Sequence, residues 1–210
     1  MNREVFFTMV KDVHEHPEHL ANYRKKYKNV YPFSDGIFKM LMANEAKPER
    51  TVKYLNTMLG LYGDNAIRSF MLGVPENPGV LDDKTAIFDI YVLSILTENQ
   101  FPTELNTYLH HSQIIRNCHF FYEKLDIYLV ELEKFFAIED LTPVEKREKS
   151  NRADMLRIFR DVLEEKEIPE EKLKRLLDKD FAKDVSLVGY TDETLLNEVD
   201  GMTNILYEKQ

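Results

Sequence analysis

The stretch that decides the fold is KTAIFDIYVLSIL, residues 84–96. Its β-branched and aromatic residues predict a buried strand over residues 85–96, and Asp89 lies in the middle of it. An unpaired carboxylate in such a strand would cost on the order of several kcal/mol. We therefore expect Asp89 to be protonated or to have a partner, either a metal ion or a basic side chain such as Lys84 or Arg116.

A second acid follows fifteen residues after the first, in PTELN, residues 102–106. The polar residues 97–100 predict a turn, and residues 103–109 predict a strand. In a strand, Glu104 and Asn106 project from the same face. The hairpin would bring Glu104 opposite Asp89. Two carboxylates and an amide at that place are typical of a divalent-metal site.

The composition indicates a folded cytoplasmic protein. The chain has 210 residues, of which 43% are apolar and 31% are charged, enough for one domain with or without a helical appendage. The net charge of −9 gives no overall positive field that would attract nucleic acid, although a local basic groove remains compatible with it. Cys118 is the single cysteine and fits a reducing compartment. No apolar run approaches the ~20 residues of a membrane span.

Periodicity predicts helices at both ends of the chain and strands between them. The predicted elements are a polar helix near 3–14, helices beginning at Ser34 or Asp35 and at Pro48, strands over 66–72, 85–96 and 103–109, a helix over 112–125, a strand or helix over 125–132, and amphipathic helices over 151–165, 169–177 and 191–208. A run of strands followed by helices indicates an α+β fold with a mixed sheet.

Four short motifs occur along the chain in a fixed order. They are SDGIFK at 34–39, YLNTML at 54–59, DKTAIFDI at 83–90 and LVELEKF at 129–135. Together they resemble the Asp-x-x-Phe-Lys, Phe-Leu-Asn-x-x-Leu, Lys-x-x-x-Leu-Asp-Val and Glu-Leu-x-Lys-Phe motifs of the PD-(D/E)XK nuclease-like family, in its transposase-associated or recombination-promoting (Rpn) group. The resemblance covers roughly residues 31–140.

The resemblance implies a restriction-endonuclease-like mixed sheet flanked by helices. Its α-β-β-β-α-β core would occupy residues 1–140, and a helical extension would occupy 141–210. The implied activity is metal-dependent cleavage of DNA with Mg²⁺ or Mn²⁺. A homodimer would suit an enzyme that cuts both strands.

The resemblance also implies the residues of the site. Asp35, Asp89 and Glu104 would be the catalytic acids, with the metal held by Asp89 and Glu104. Asn106 would stand where the family has Gln or Lys. We expect Arg116, on the helix after the site, and Lys39 to neutralise backbone phosphate.

Several alternatives remain open from the sequence. Glu98 begins a literal Glu-x-Gln, but its use would force the turn into an apolar run, so turn chemistry favours Glu104. Asp35 can serve as a helix cap alone, and Glu104 can be an ordinary exposed residue. Asn106 cannot stabilise an anion as a cation would. The family's usual strands between Arg116 and the last motif are shortened here. A catalytically inactive remnant that binds protein or nucleic acid is therefore the alternative function.

Overall fold

The structure is a computed structural model, and it describes residues 3–69, 90–97, 99–113, 115–116, 119–120 and 125–208. The helices are α1 Arg3–Glu15, α2 Leu20–Lys26, α3 Asp35–Met42, α4 Pro48–Leu59, α5 Leu132–Leu141, α6 Asn151–Leu163, α7 Glu170–Leu176, α8 Phe181–Asp184 and α9 Asp192–Glu208. The strands are β1 Ile90–Leu96, β2 Leu109–Gln113, β3 Ile115–Arg116, β4 His119–Phe120 and β5 Leu125–Glu131. Asp89 and Glu98 lie outside the described residues.

The chain is α+β, as predicted, and its packing divides it into two compact units. The helical unit comprises residues 1–70 and 149–210, and the sheet unit comprises residues 71–148. The sequence suggested a division after residue 140 with a separate helical extension. Instead, the C-terminal helices share one unit with the N-terminal ones, because α9 packs on α1 and both α6 and α7 pack on α4.

Local signals explain the helices of the helical unit. Pro48 lies in the first turn of α4, and Gly60 ends that helix with φ of 70°, a conformation that glycine adopts without strain. Ser150 caps α6 by accepting the Ala153 N–H at 3.0 Å. Apolar side chains then bury one face of each helix, Met58 and Phe159 being 0% exposed. Each fully buried side chain of this size stabilises the fold by roughly 1.5–3 kcal/mol.

The three-stranded sheet has the order β1-β5-β2. β1 is parallel to β5, with Leu96 opposite Glu131, and β2 is antiparallel to β5, with His110 opposite Leu129. The strand predicted over residues 125–132 is therefore confirmed. The predicted hairpin is wrong, because β5 lies between β1 and β2 in the sheet. In addition, β2 begins only at Leu109.

The strand predicted over residues 103–109 is also wrong, for a local reason. Residues 101–107 form two consecutive turns, in which the Glu104 N–H donates to the Phe101 carbonyl at 3.1 Å and the Thr107 N–H donates to the Glu104 carbonyl at 3.2 Å. Pro102 takes the second position of the first turn, where its fixed φ is favourable. Glu104 and Asn106 therefore lie on exposed turns and not on one face of a strand.

Two further predictions fail in their described parts. Residues 112–113 belong to β2 and Arg116 belongs to β3, so the helix predicted over 112–125 does not begin as expected. Pairing with β5 overrides the local helical pattern there. Residues 66–69 form no strand. Instead, the side-chain amide of Asn56 accepts the Ile67 N–H at 2.8 Å and donates to the Ile67 carbonyl at 2.9 Å.

Candidate functional site

The structure distributes the predicted site residues over both units. In the helical unit, Asp35 is the first residue of α3, after the N-cap position at Ser34, and Lys39 is exposed on the same helix. In the sheet unit, Glu104 and Asn106 lie on the turns before β2, and the backbone of Arg116 belongs to β3.

A buried carboxylate lies at the junction between β5 and α5. The Glu131 side chain is 0% exposed. Its Oε1 accepts the backbone N–H groups of Gln100 at 2.6 Å and Phe101 at 3.0 Å. Its Oε2 faces His110 Nε2 at 2.7 Å and accepts a hydrogen bond from Lys134 Nζ. Four donors therefore surround this carboxylate, which compensates for its burial.

The same contacts set the charge of Glu131. Desolvation alone would raise its pKa, but the hydrogen bonds from Lys134, the Phe101 N–H, His110 and the Gln100 N–H outweigh it and lower the pKa to about 2. Lys134 Nζ also donates to the Phe101 carbonyl at 2.8 Å. The ion pair thus fixes the loop that follows β1 to the start of α5.

His110 connects this buried cluster to the surface. While its Nε2 faces Glu131, its Nδ1 lies 3.4 Å from Oε2 of Glu104. The His110 side chain is 9% exposed and that of Glu104 is 53% exposed. The Phe101 ring covers the imidazole, with ring centroids 4.2 Å apart. An imidazole held from behind by a carboxylate therefore presents its second nitrogen next to a solvated acid. We call Lys134, Glu131, His110 and Glu104 the Glu131 cluster.

The adjacent histidine has a different environment. Both His110 and His111 lie on β2. His111 Nε2 contacts Asp126 Oδ1 at 2.6 Å, and Gln113 donates to the same oxygen at 3.0 Å. Desolvation alone would raise the pKa of Asp126, but these two hydrogen bonds outweigh it and lower the pKa. Successive residues of a strand face opposite ways, so the two histidines serve separate acids.

A second buried charge cluster, the Arg50 cluster, lies in the helical unit. Arg50 is 1% exposed, and its Nη2 donates to Asp178 Oδ1 at 2.9 Å and to Asp184 Oδ2 at 2.5 Å. Its Nε bonds the other oxygen of Asp178, and its Nη1 donates to the Leu41 carbonyl at 3.2 Å. Lys47 Nζ contacts the same Asp184 oxygen at 2.5 Å. This cluster fixes α4 to α8, through Asp184, and to the segment between α7 and α8, through Asp178.

One of the two implied metal ligands, Glu104, lies among the described residues. In that part of the chain, no group of three His, Cys, Asp or Glu side chains is arranged to hold a metal ion. Glu104 is available as an exposed oxygen ligand, but Asp89 lies outside the described ranges. The pair of Asp89 and Glu104 as metal ligands stays a prediction.

The sequence did not lead us to predict Glu131 and Lys134, two residues of the last motif, as part of a site. Glu131 and Lys134 stand three apart in the Glu-Leu-x-Lys-Phe motif, and this spacing places them on one face of a helical turn. Both are buried, although Glu and Lys rarely are unless they are paired. The signal was therefore present as a charged i, i+3 pair next to an apolar strand, whereas the partnership with His110 depends on sheet pairing.

Comparison with protein-family models, with curated proteins and with solved structures gives no match. Among the described helices, none has the length and the apolar composition that a bilayer crossing requires.

Proposed function

We propose that this chain is a metal-dependent DNA endonuclease of the transposase-associated PD-(D/E)XK type. The observation that carries the proposal is the ordered set of four motifs. Asp35 of the first motif starts α3, and Asn56 of the second bonds the backbone that leaves the helical unit. Glu131 and Lys134 of the last motif form a buried ion pair. Three motifs therefore coincide with specific structural positions, which supports reading them as a set.

The proposal gives distinct roles to the residues of the site. A bound Mg²⁺ or Mn²⁺ would activate water and stabilise charge on a scissile phosphate. Glu104 would supply an oxygen ligand from its exposed turn, together with Asp89. Lys39 is an exposed cation on α3 and would neutralise backbone phosphate, as would Arg116. Asn106, which is also exposed, would orient a water molecule through its amide.

Plasmid cleavage tests this function. The purified chain is incubated with supercoiled plasmid and either Mg²⁺ or Mn²⁺, and nicked and linear products are measured on a gel. We expect cleavage by the wild type, loss of cleavage in Asp89→Ala and Glu104→Gln, and wild-type cleavage in Glu133→Gln. Glu133 is a matched control because it is an exposed acid of the same unit. Intact plasmid with both metals over a range of pH would contradict the proposal.

One observation favours the second candidate function, a catalytically inactive module that binds nucleic acid or protein. Glu104 lies on a turn beside His110 and not on a strand paired with β1, so the support expected for the metal pair is missing from the described strands. Fluorescence anisotropy with a labelled DNA duplex separates the two candidates. Metal-independent binding without any cleavage would favour the module, and cleavage abolished by Asp89→Ala would exclude it.

A further inference from the structure

Among Glu131, Lys134 and His110, His110 has the least complete set of hydrogen bonds. Glu131 has four donors, and Lys134 bonds both Glu131 and the Phe101 carbonyl. Among the described residues, His110 Nδ1 faces the Glu104 carboxylate at 3.4 Å, which is longer than the 2.7–3.2 Å typical of an N–H···O hydrogen bond. The two atoms are thus close neighbours without a normal hydrogen bond between them.

The hydrogen-bond partner of Nε2 determines whether Nδ1 of the neutral ring carries a hydrogen or a lone pair. Glu131 is an ionised carboxylate with a pKa of about 2, and an ionised carboxylate only accepts hydrogen bonds. His110 Nε2 must therefore carry a hydrogen and donate it at 2.7 Å. In the neutral ring, Nδ1 then presents a lone pair. A lone pair facing a carboxylate oxygen is unfavourable unless a proton or a metal ion lies between the two atoms, and their separation of 3.4 Å is longer than a normal N–H···O hydrogen bond.

We propose that His110 Nδ1 and Glu104 Oε2 are two ligands of one divalent metal ion. Two ligand atoms that each lie about 2.1 Å from a tetrahedral ion are about 3.4 Å apart, which matches the observed separation. Glu131 supplies the carboxylate behind a ligating imidazole that fixes its tautomer and orientation in metalloproteins. Lys134 holds that carboxylate in turn.

The chemistry of the pair selects the kind of ion. An imidazole nitrogen with one carboxylate suits Zn²⁺, Mn²⁺ or Co²⁺, whereas Mg²⁺ prefers oxygen ligands alone. Glu104 is half exposed, so water can reach the ion and fill the coordination positions that side chains leave open. Catalytic zinc sites also leave a position to water, beside three protein ligands.

This inference shares Glu104 with the proposed endonuclease but does not require DNA cleavage. If the endonuclease proposal is correct, His110 deepens it by adding a nitrogen ligand on the side of Glu104. The enzyme would then work better with Mn²⁺ than with Mg²⁺. If the chain is an inactive module, the same two residues still bind the ion.

Isothermal titration of the full chain with ZnCl₂ at neutral pH tests the site directly. We expect zinc binding that weakens by more than about tenfold in His110→Gln and in Glu104→Gln. The matched control is His111→Gln, which removes an imidazole from the next position of the same strand, where it serves Asp126, and should leave the zinc affinity unchanged.

The outcomes separate this inference from the proposed function. Zinc affinity that is unchanged in His110→Gln, or reduced equally in His111→Gln, would overturn the inference, and so would the absence of zinc binding. Loss of zinc binding in Asp89→Ala but not in His110→Gln would also overturn it and would favour the predicted pair of Asp89 and Glu104. Zinc binding through His110 in a chain that cleaves no plasmid would support the site and contradict only the endonuclease. Circular dichroism checks that each variant is folded, and Glu104→Gln changes only an exposed turn.

Discussion

The two units each bury a charged side chain, and they satisfy it in different ways. In the helical unit, the Arg50 cluster is closed, because the Arg50 guanidinium bonds two aspartates and a carbonyl within the unit. In the sheet unit, the buried ion is a carboxylate, and its contacts continue through His110 to Glu104, which is exposed. In the helical cluster the Arg50 guanidinium is bonded on every side, whereas the sheet cluster ends at a ring nitrogen that faces an exposed acid.

This difference separates a structural ion pair from a candidate site. Burial of a charge alone says little about function, since closed ion-pair networks are common in stable folds. A buried charge that orients a partly accessible base or ligand has a chemical use, because the group is held in one tautomer and direction. The sheet cluster meets this condition and the Arg50 cluster does not.

The largest effect is expected when the centre of the sheet cluster is removed. Glu131→Leu leaves the Lys134 ammonium, which is 6% exposed, without its carboxylate, and we expect a loss of about 3–5 kcal/mol in the free energy of unfolding. Urea unfolding followed by circular dichroism measures it. A loss below about 1 kcal/mol in the free energy of unfolding would contradict this, since it would show that water solvates the Lys134 ammonium.

Removal of Arg50 should cost less, although Arg50 is as deeply buried. Asp178 and Asp184 keep side-chain exposures of 27% and 28%, so water can solvate them after Arg50→Met. We expect a loss of about 2–3 kcal/mol in the same urea experiment. A larger loss in the free energy of unfolding for Arg50→Met than for Glu131→Leu would contradict this ranking of the two clusters.

Acid should weaken the sheet cluster. The Glu131 pKa is about 2 in the folded protein against an ordinary value of 4.5. Its contribution is therefore fully present above pH 4.5 and is lost as the pH falls from there towards 2. We expect the urea midpoint to fall less steeply over this range in Glu131→Gln than in the wild type. If the urea midpoint falls equally steeply with pH in Glu131→Gln and in the wild type, the pKa of Glu131 is not lowered.

The smallest predicted effect has the opposite sign. Tyr54 is buried in the helical unit, and its hydroxyl lacks a hydrogen-bond partner among the described residues. Tyr54→Phe also introduces the residue that the resembled family has at this motif position. We expect the variant to be more stable by about 1 kcal/mol, since an unpaired buried hydroxyl costs free energy. A destabilised variant would reveal a partner, such as a buried water molecule.

The sequence predicted the helical unit well and the sheet unit poorly, for physical reasons. The starts of α3, α4 and α6 follow from local signals at Ser34, Pro48 and Ser150, and amphipathic periodicity defines their faces. Strand order is not local, and nothing in residues 90–113 indicates that β5 would pair with both β1 and β2. Pro102 did carry a turn signal, but the expectation of a hairpin outweighed it.

In the candidate site, too, local features could be predicted from the sequence and long-range contacts could not. Glu104 was predicted from the sequence as an acid in a strand-like segment, but its neighbour His110 was not, because their proximity depends on the turns at residues 101–107 and on the start of β2. Glu131 and Lys134 were quoted only as a motif. The contact of Glu131 with His110 depends on the pairing of β2 with β5, which periodicity does not encode.

The tautomer of His110 tests the central claim most directly. A long-range ¹H–¹⁵N correlation spectrum of the metal-free chain at pH 8 identifies which ring nitrogen carries the hydrogen, with His110→Gln assigning the signal. We predict hydrogen on Nε2, held by Glu131, and an unprotonated Nδ1 that shifts when Zn²⁺ is added. Hydrogen on both nitrogens, with no response to Zn²⁺, would show that His110 is a closed ion pair between Glu131 and Glu104, like Arg50 between its aspartates.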